Sequence, residues 1–350
     1  MRKKLIYLFV ALGVVALLAG GVFLGGWMIF FKKNINNQSE VYHYLYVRPE
    51  TTWDDIRDTL VHNGWVSDLR AYDWAMRLIG KDKTPHTGKY DLELGIGNRN
   101  FINRIAYGLD NKTDIEIRMT RYPEWVARNL APQVMVDSAA IADVLLSEAY
   151  LQQRGFTRDN ALAMFVRFKS AVHWDLPAQA LADEIARQYD MFWNEDRRSK
   201  ACEMGMSPIE VTILASIVEE ETNDFEDRRM VAGVYMNRLR KGMLLQACPT
   251  ARYASGDFTL NRILKKHTLI DSPYNTYRYA GLPPGPIRIP QRESIDAVLD
   301  YAHHKYLYMC AKSDFSGTHN YSSTLAQHNQ YALQYQRELN RRKIGFKQSH

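Results

Sequence analysis

An uncharged stretch of 27 residues near the N-terminus constrains this chain more than any other feature. No charged side chain occurs from Leu5 to Phe31. As a helix rising ~1.5 Å per residue, it exceeds the ~30 Å hydrocarbon core of a bilayer. The alternative is a cleaved signal peptide, but its apolar core would span only ~7–15 residues, and no A-x-A-like cleavage site precedes Trp27. Residues 5–31 are therefore predicted to form one uncleaved transmembrane helix.

The flanking charges indicate how this helix is oriented. Arg2, Lys3 and Lys4 precede it, whereas Lys32 and Lys33 follow it. By the positive-inside rule, this small excess favours residues 1–4 in the cytoplasm. We therefore expect a single-pass protein of the inner (cytoplasmic) membrane, with everything after Lys33 on the periplasmic or extracytoplasmic side.

Length and charge set further limits on the fold and its partners. A chain of 350 residues, 46% of them hydrophobic, predicts two or three domains with real cores. The net charge of +6 and pI near 9.0 suit an anionic partner such as a membrane surface or a cell-wall polymer. The basic residues are scattered rather than gathered in one stripe, so no nucleic acid is predicted as a partner.

Several kinds of site are not indicated. The three cysteines, Cys202, Cys248 and Cys310, form no CxxC and predict neither a disulfide framework nor a metal site. No HExxH, GxSxG or GxxxxGK motif occurs, which argues against a zinc hydrolase, a serine esterase and a nucleotide-phosphate site. We predict no metal and no cofactor.

The stretch ILASIVEEET, from Ile213 to Thr222, carries the most chemical information. Its helix has a clear start signal, because Ser207 can act as N-cap, Pro208 suits the first helical position, and Glu210 completes a capping box. The run ends in three consecutive glutamates. Carboxylates on an otherwise apolar helix indicate a functional role. The alternative is that they form the solvated, acidic end of the helix.

Helical periodicity distinguishes the three glutamates. The residues three, four and seven positions before Glu221 are all large and apolar, namely Val218, Ile217 and Leu214. At these positions Glu219 has only small or polar neighbours, whereas Glu220 has one serine between two isoleucines. Desolvation should therefore raise the pKa of Glu221 toward the range that a general acid needs.

Downstream loops carry residues suited to carbohydrate. LLQACPT contains Gln246, and the proline- and glycine-rich segment Ser272–Pro290 contains Asn275 and Tyr277. Tyrosine faces and amide groups match the apolar faces and polar rims of pyranose rings. A later polar segment, Ser316–Asn329, adds two histidines and an asparagine: His319, Asn320 and His328.

These motifs together resemble a known family. EEET after an apolar helix, NRL, LQxxPT, YNTY, GLPPGPI, GTHNYS and a later HN are similar, in the same order, to the YceG-like endolytic murein transglycosylases. The resemblance covers about Ser207 to Asn329. In the family the last glutamate of the E-x-E-T run is catalytic, which corresponds to Glu221 here.

The pattern of predicted strands and helices, with which the resemblance agrees, predicts an α+β fold in several parts. Its expected divisions are a cytoplasmic N-terminus at 1–4, a transmembrane anchor at 5–31, a linker at 34–42, a small LysM-like βααβ domain at 43–110, a mostly helical part at 111–200 and an α+β catalytic domain at 201–340. A plain structural βααβ domain is the alternative to the LysM-like, glycan-binding interpretation.

The resemblance also implies a reaction. The expected enzyme cleaves the β-1,4 bond between N-acetylmuramic acid and N-acetylglucosamine in peptidoglycan strands without water, leaving 1,6-anhydro ends and terminating or trimming nascent strands. Expected partners are those strands, the inner membrane and peptidoglycan synthases. Glu221 is the expected catalytic residue, and the residues expected to bind and orient the sugar are Glu219, Gln246, Asn275, Tyr277, His319 and Asn320.

Two departures from the family and two alternatives accompany this hypothesis. Cys248 stands where the family usually has aspartate, and FVRFKSA, Phe165 to Ala171, replaces an aromatic-Pro-Asp-Thr segment. One alternative is a hydrolytic muramidase with Asp224, Glu226 or Asp227 as second carboxylate. The other is a membrane-tethered glycan-binding scaffold without catalysis.

Overall fold

The computed structural model describes residues 2–36, 44–92, 95–260 and 262–342. It divides into two compact units. The N-terminal unit comprises Met1–Ile115 together with Gln133–Met135 and Ala171–Leu176. The C-terminal unit comprises Glu116–Pro132, Val136–Ser170 and Pro177–His350. The domain boundaries expected from the sequence remain predictions.

The N-terminal unit begins with α1 (Arg2–Phe30), a helix long and apolar enough to cross a membrane. At 29 residues it would span about 44 Å, more than a bilayer core. Its C-terminal end contacts the small domain that follows. The Asn98 side-chain amide donates a hydrogen bond to the Ile29 carbonyl at 2.7 Å, and Ile29 and Phe30 pack on the small-domain core.

The small domain has the strand–helix–helix–strand order expected from the sequence. The strands are β2 (Tyr44–Val47) and β3 (Gly88–Asp91), which pair antiparallel with Leu45 opposite Tyr90. Between them lie α2 (Trp53–His62) and α3 (Leu69–Ala75), the latter continued by a π-helical turn at Met76–Gly80. Helix α4 (Asn98–Ala106) closes the core. The LysM-like interpretation of this domain stays a prediction.

The start of the expected linker at 34–42 differs from the structure. Strand β1 (Lys33–Ile35) pairs with β4 (Ile96–Gly97) and therefore includes residues 34 and 35. Ile35 is buried in the small-domain core, and Asn34 hydrogen-bonds both Asp68 and Asn98, so burial holds this segment as a strand. Residues 37–42 of the linker lie outside the described residues.

The chain beyond residue 115 is mainly helical. Strand β5 (Thr113–Glu116) pairs with β6 (Lys169–Val172), and β7 (Tyr308–Ala311) pairs antiparallel with β8 (His319–Ser322). Two 3₁₀ turns occur at Ala131–Gln133 and Ala161–Met164. The helices are α5 (Pro123–Leu130), α6 (Ser138–Leu145), α7 (Glu148–Gln153), α8 (Ala178–Phe192), α9 (Glu195–Glu203), α10 (Pro208–Glu221), α11 (Phe225–Arg240), α12 (Cys248–Ser255), α13 (Lys265–Thr268), α14 (Arg292–Leu299) and α15 (Leu325–Arg341).

Helix α10 is the central element of the C-terminal unit. Every residue from Val211 to Glu219 is buried, as expected for a helix that is apolar on all sides. It packs on α11 and α14, and its side chains share one hydrophobic core with Trp193, Tyr235 and Ile295. The last turn of α10, which carries the three glutamates, is therefore fixed by packing.

The predicted start of α10 is confirmed. The Ser207 hydroxyl accepts a hydrogen bond from the Glu210 amide, and a Glu210 carboxylate oxygen accepts one from the Ser207 amide at 2.7 Å. Pro208 occupies the first turn, where its missing amide proton costs nothing.

We expect Ser207→Ala to lower the free energy of unfolding by about 1 kcal/mol, because it leaves the Glu210 amide without its acceptor. Chemical denaturation followed by circular dichroism measures this loss. Ser323→Ala makes the same chemical change at an exposed position and serves as control. Equal stability of the two variants would contradict the assigned cap.

Candidate active site

Glu221 ends α10 and lines a cavity of about 460 Å³ in the C-terminal unit. Helices α10 and α11, the loop before α12 and the β7–β8 hairpin form its walls. Among the described residues that line it, Glu221 is the single carboxylate. The lining comprises Glu221, Val234, Tyr235, Arg238, Leu245, Gln246, Cys248, Tyr277, Met309, Cys310, Ala311, His319 and His328.

Burial raises the pKa of Glu221 above its ordinary value, as the helical-face argument predicted. Leu214, Ile217 and Val218, the residues on its side of the helix, are all fully buried. The Tyr235 hydroxyl donates a hydrogen bond to Glu221 Oε1 at 2.8 Å and partly opposes this rise by stabilising the anion. Glu221 is thus a desolvated carboxyl group with one fixed donor, which suits an acid that later acts as a base.

The other two glutamates are buried in ion pairs, so the alternative of a solvated acidic helix end is wrong for them. The side chains of Glu219 and Glu220 are only 3% and 8% exposed. Glu219 binds the Arg288 guanidinium at 2.9 Å and also accepts hydrogen bonds from the Gln291 amide and the Ser294 hydroxyl. It lies outside the cavity lining and holds the segment from Arg288 to Ser294 against α10.

Glu220 is surrounded by three arginines. Arg121 contacts its Oε1 at 2.9 Å, Arg252 lies 3.7 Å from Oε2, and Arg288 also pairs with it. Burial alone would raise the pKa of Glu220, but the Arg121 and Arg288 charges outweigh burial and lower it. Glu220 therefore stays ionised next to a carboxyl group whose pKa is shifted the opposite way.

His319 is positioned by a buried aspartate. Its Nδ1 lies 2.7 Å from Asp227 Oδ2, and its backbone amide donates to Asp227 Oδ1 at 3.1 Å. The Tyr321 hydroxyl donates to the same oxygen. Burial alone would raise the pKa of Asp227, but the hydrogen bonds from His319 and Tyr321 lower it. Asp227 is thus an ionised support that orients His319 on the cavity wall.

Gln246 and Tyr277 also line the cavity. Gln246 has a left-handed φ of 53°. Its backbone amide donates a hydrogen bond to the Thr276 carbonyl at 3.1 Å, which connects the LQACPT loop to the YNTY loop. The Tyr277 hydroxyl lies 3.1 Å from Cys248 Sγ. Desolvation raises the pKa of the Cys248 thiol, so the thiol is neutral at neutral pH.

Asn275 and Asn320 lie outside the cavity lining. Asn275 is fully buried, and its side-chain amide donates to the carbonyls of Thr268 and Ile270. It therefore shapes the YNTY loop. Asn320 sits in β8 opposite Cys310. The predicted set thus divides into cavity residues (Glu221, Gln246, Tyr277, His319) and residues outside the lining (Glu219, Asn275, Asn320).

Sequence reasoning did not single out Tyr235 or Arg238 as site residues. Both lie on α11, and Arg238 belongs to the NRL motif, which was a usable signal. Its guanidinium donates to the carbonyls of Leu245 and Leu307, at 2.9 and 2.6 Å, and thereby fixes two loops of the cavity wall. No sequence pattern connects Tyr235 to Glu221, because the contact joins two different helices.

None of the three candidate second carboxylates lines the cavity. Asp224 caps α11, Glu226 is exposed and pairs with Arg229, and Asp227 has both oxygens engaged by His319 and Tyr321. For metal binding, the described residues offer one group outside this cavity, in the N-terminal unit, with ligand atoms within 4.8 Å of one another: Asp110, His173 and Asp175.

Comparisons with known proteins agree with these features. The model of the YceG-like family matches residues 45–334. An endolytic murein transglycosylase of Bacillus subtilis (strain 168) is 43% identical over 122 residues, 35% of this chain and 33% of the relative. One from Streptococcus pneumoniae serotype 2 is 39% identical over 106 residues, 29% of this chain and 19% of the relative. The matched segments span a third or less of these relatives.

A solved structure shows the same fold. The crystal structure of a YceG-like protein from Listeria monocytogenes superposes with a TM-score of 0.56 at 22% identity, covering 82% of this chain and 97% of that one. At this identity the likeness concerns the fold alone.

We expect Tyr235→Phe to raise the pKa of Glu221 further, because the carboxylate loses the donor that stabilises its charge. Carboxyl-carbon NMR titration of glutamate-labelled protein measures the shift. Tyr279→Phe is the control, since it removes a phenol–carboxylate hydrogen bond to Asp271 outside the cavity lining. A Glu221 titration that stays in place or moves down in Tyr235→Phe would refute the assigned contact.

Proposed function

The chain belongs to the YceG-like family, and on this premise we propose that it is an endolytic lytic transglycosylase of peptidoglycan. The observation that carries the proposal is that Glu221 is the single carboxyl group among the described residues of the cavity lining, and that burial raises its pKa. The names of the Bacillus and Streptococcus relatives support the same activity.

The proposed reaction needs one carboxyl group acting twice. Protonated Glu221 donates its proton to the glycosidic oxygen while the bond from that oxygen to C1 of N-acetylmuramic acid breaks. The C6 hydroxyl of the same sugar attacks C1, forms the 1,6-anhydro ring and returns its proton to Glu221. No water is consumed, and the enzyme ends in its starting protonation state. Attack from within the same sugar gains the proximity advantage of an intramolecular reaction.

The surroundings of Glu221 suit this cycle better than hydrolysis. A muramidase needs a second carboxylate as nucleophile or base, and none of the described lining residues supplies one. We propose that Gln246, Tyr277 and His319 hold the sugar, since their side chains line the cavity. Glu219, Asn275 and Asn320 would support binding indirectly, through the loops and strand they belong to.

The raised pKa of Glu221 sets the expected pH dependence. The reactive form is the protonated acid, so activity is retained below the raised pKa and lost as pH rises through it. Among the neighbouring charges, Arg252 lowers the pKa of Glu221 and Glu220 raises it, but burial has the largest effect and raises it.

The expected partners follow from the proposed substrate and from α1. We propose that α1 holds the enzyme in the inner membrane, where it would terminate or trim nascent strands beside peptidoglycan synthases. The small domain would contribute a LysM-like glycan contact.

We expect Glu221→Gln to abolish cleavage of purified glycan strands, because glutamine cannot donate or accept the proton. Mass spectrometry should find products with anhydro ends, lighter by one water than reducing ends, in the parent digest but not in the Glu221→Gln digest. Glu226→Gln is the matched control and should retain activity, since Glu226 is an exposed residue paired with Arg229. Reducing ends would support a muramidase, and no products from the parent would support a non-catalytic scaffold.

Labelling of Cys202, an exposed residue of α9, tests the proposed orientation. In intact spheroplasts, a membrane-impermeant maleimide should label Cys202 in a chain whose other two cysteines are replaced by serine. A cysteine introduced by Lys3→Cys, in a chain otherwise free of cysteine, should react only after the membrane is permeabilised. The reverse pattern would place the C-terminal unit in the cytoplasm.

A further inference from the structure

An aromatic surface of the C-terminal unit lies outside the residues that line the cavity. Tyr122 packs edge-on against Trp125, with ring centroids 5.3 Å apart, and tilts against Tyr253 at 6.1 Å. Tyr253 in turn contacts Tyr274 at 4.7 Å. We call this group the aromatic shelf, and it consists of Tyr122, Trp125, Tyr253, Phe258 and Tyr274.

The shelf is connected to the proposed active site through helix α12. Helix α12 begins at Cys248 on the cavity wall and reaches Tyr253 five residues later, about 7.5 Å further along the helix axis. Arg121 joins the two regions from the other side. Its guanidinium pairs with Glu220, the neighbour of Glu221, and lies over the Phe258 ring at 4.5 Å.

The shelf is not simply part of the hydrophobic core. Tyr253 and Tyr274 pack against that core and are only partly buried, whereas Trp125 keeps 49% of its surface exposed. The hydroxyl of Tyr253 donates to the Arg121 carbonyl, and that of Tyr274 donates to the Asp159 carbonyl. Because these two hydroxyls are held by hydrogen bonds, a ligand that contacts the rings would immobilise few additional side chains of the protein.

The volume of the cavity indicates that a polymeric substrate would also contact the protein outside it. About 460 Å³ lies at the lower end of the range for small-molecule pockets, whereas an endolytic enzyme handles a polymer. Aromatic faces suit the apolar faces of pyranose rings.

We propose that the aromatic shelf is a further glycan subsite, which binds sugar rings of the peptidoglycan strand beyond the cleavage point with Trp125 as its main stacking residue. The proposal rests on the proposed function, whose substrate it extends. It makes Trp125 a determinant of strand-length preference, because a short oligosaccharide held in the cavity does not reach the shelf.

Binding by the detergent-solubilised full chain carrying Glu221→Gln tests the subsite without cleavage. Addition of Trp125→Ala should weaken binding of long glycan strands freed of stem peptides about fivefold, the loss expected for one aromatic stacking contact. Binding of chitotriose should stay unchanged. Trp125→Phe should keep most of the affinity for long strands, whereas Trp125→Leu, apolar but without a flat ring, should lose it.

Equal binding of long strands by Trp125→Ala and its parent would overturn the subsite. It would instead favour a protein as the partner of the exposed Trp125. An equal loss for long strands and chitotriose, or a lowered midpoint of thermal unfolding, would also overturn it by indicating a general structural role. The proposed function fails separately, through the absence of anhydro ends in digests by the chain with native Glu221.

Discussion

Burial of the last turn of α10 takes three adjacent carboxyl groups out of water, and the rest of the C-terminal unit is built around that constraint. Buried carboxylates require partners, and two of the three receive them: Glu219 from Arg288 and the start of α14, Glu220 from Arg121, Arg252 and Arg288. The partner of Glu221 is the Tyr235 hydroxyl, which donates a hydrogen bond, instead of a cation. The same desolvation therefore yields two structural anions and one carboxyl group that holds its proton more tightly.

Features encoded locally in the sequence were predictable. Ser207, Pro208 and Glu210 marked the start of α10 because a capping box involves residues only three positions apart. The upward shift of the Glu221 pKa followed from apolar neighbours within two helical turns. The long apolar helix and the order of strands and helices in the small domain followed from periodicity and composition alone.

Contacts between distant segments were not predictable. The helical-face argument saw only serine, alanine and threonine near Glu219, because Arg288 approaches from a loop far along the chain. The same holds for Tyr235 on Glu221 and for Asp227 on His319. Asn275 shows a related limit. Its amide looked suited to sugar hydroxyls, but backbone carbonyls of its own loop already occupy it, and only three-dimensional packing reveals that competition.

The junction between α1 and the small domain has a mechanical consequence. Only Phe31 and Lys32 separate the helix from β1, and Asn98 grips the last turn of α1 through the Ile29 carbonyl. With α1 embedded in a bilayer, this short connection would hold the small domain at a small, fixed distance from the membrane and would restrict its movement. Only partners close to the membrane surface would then be within its reach.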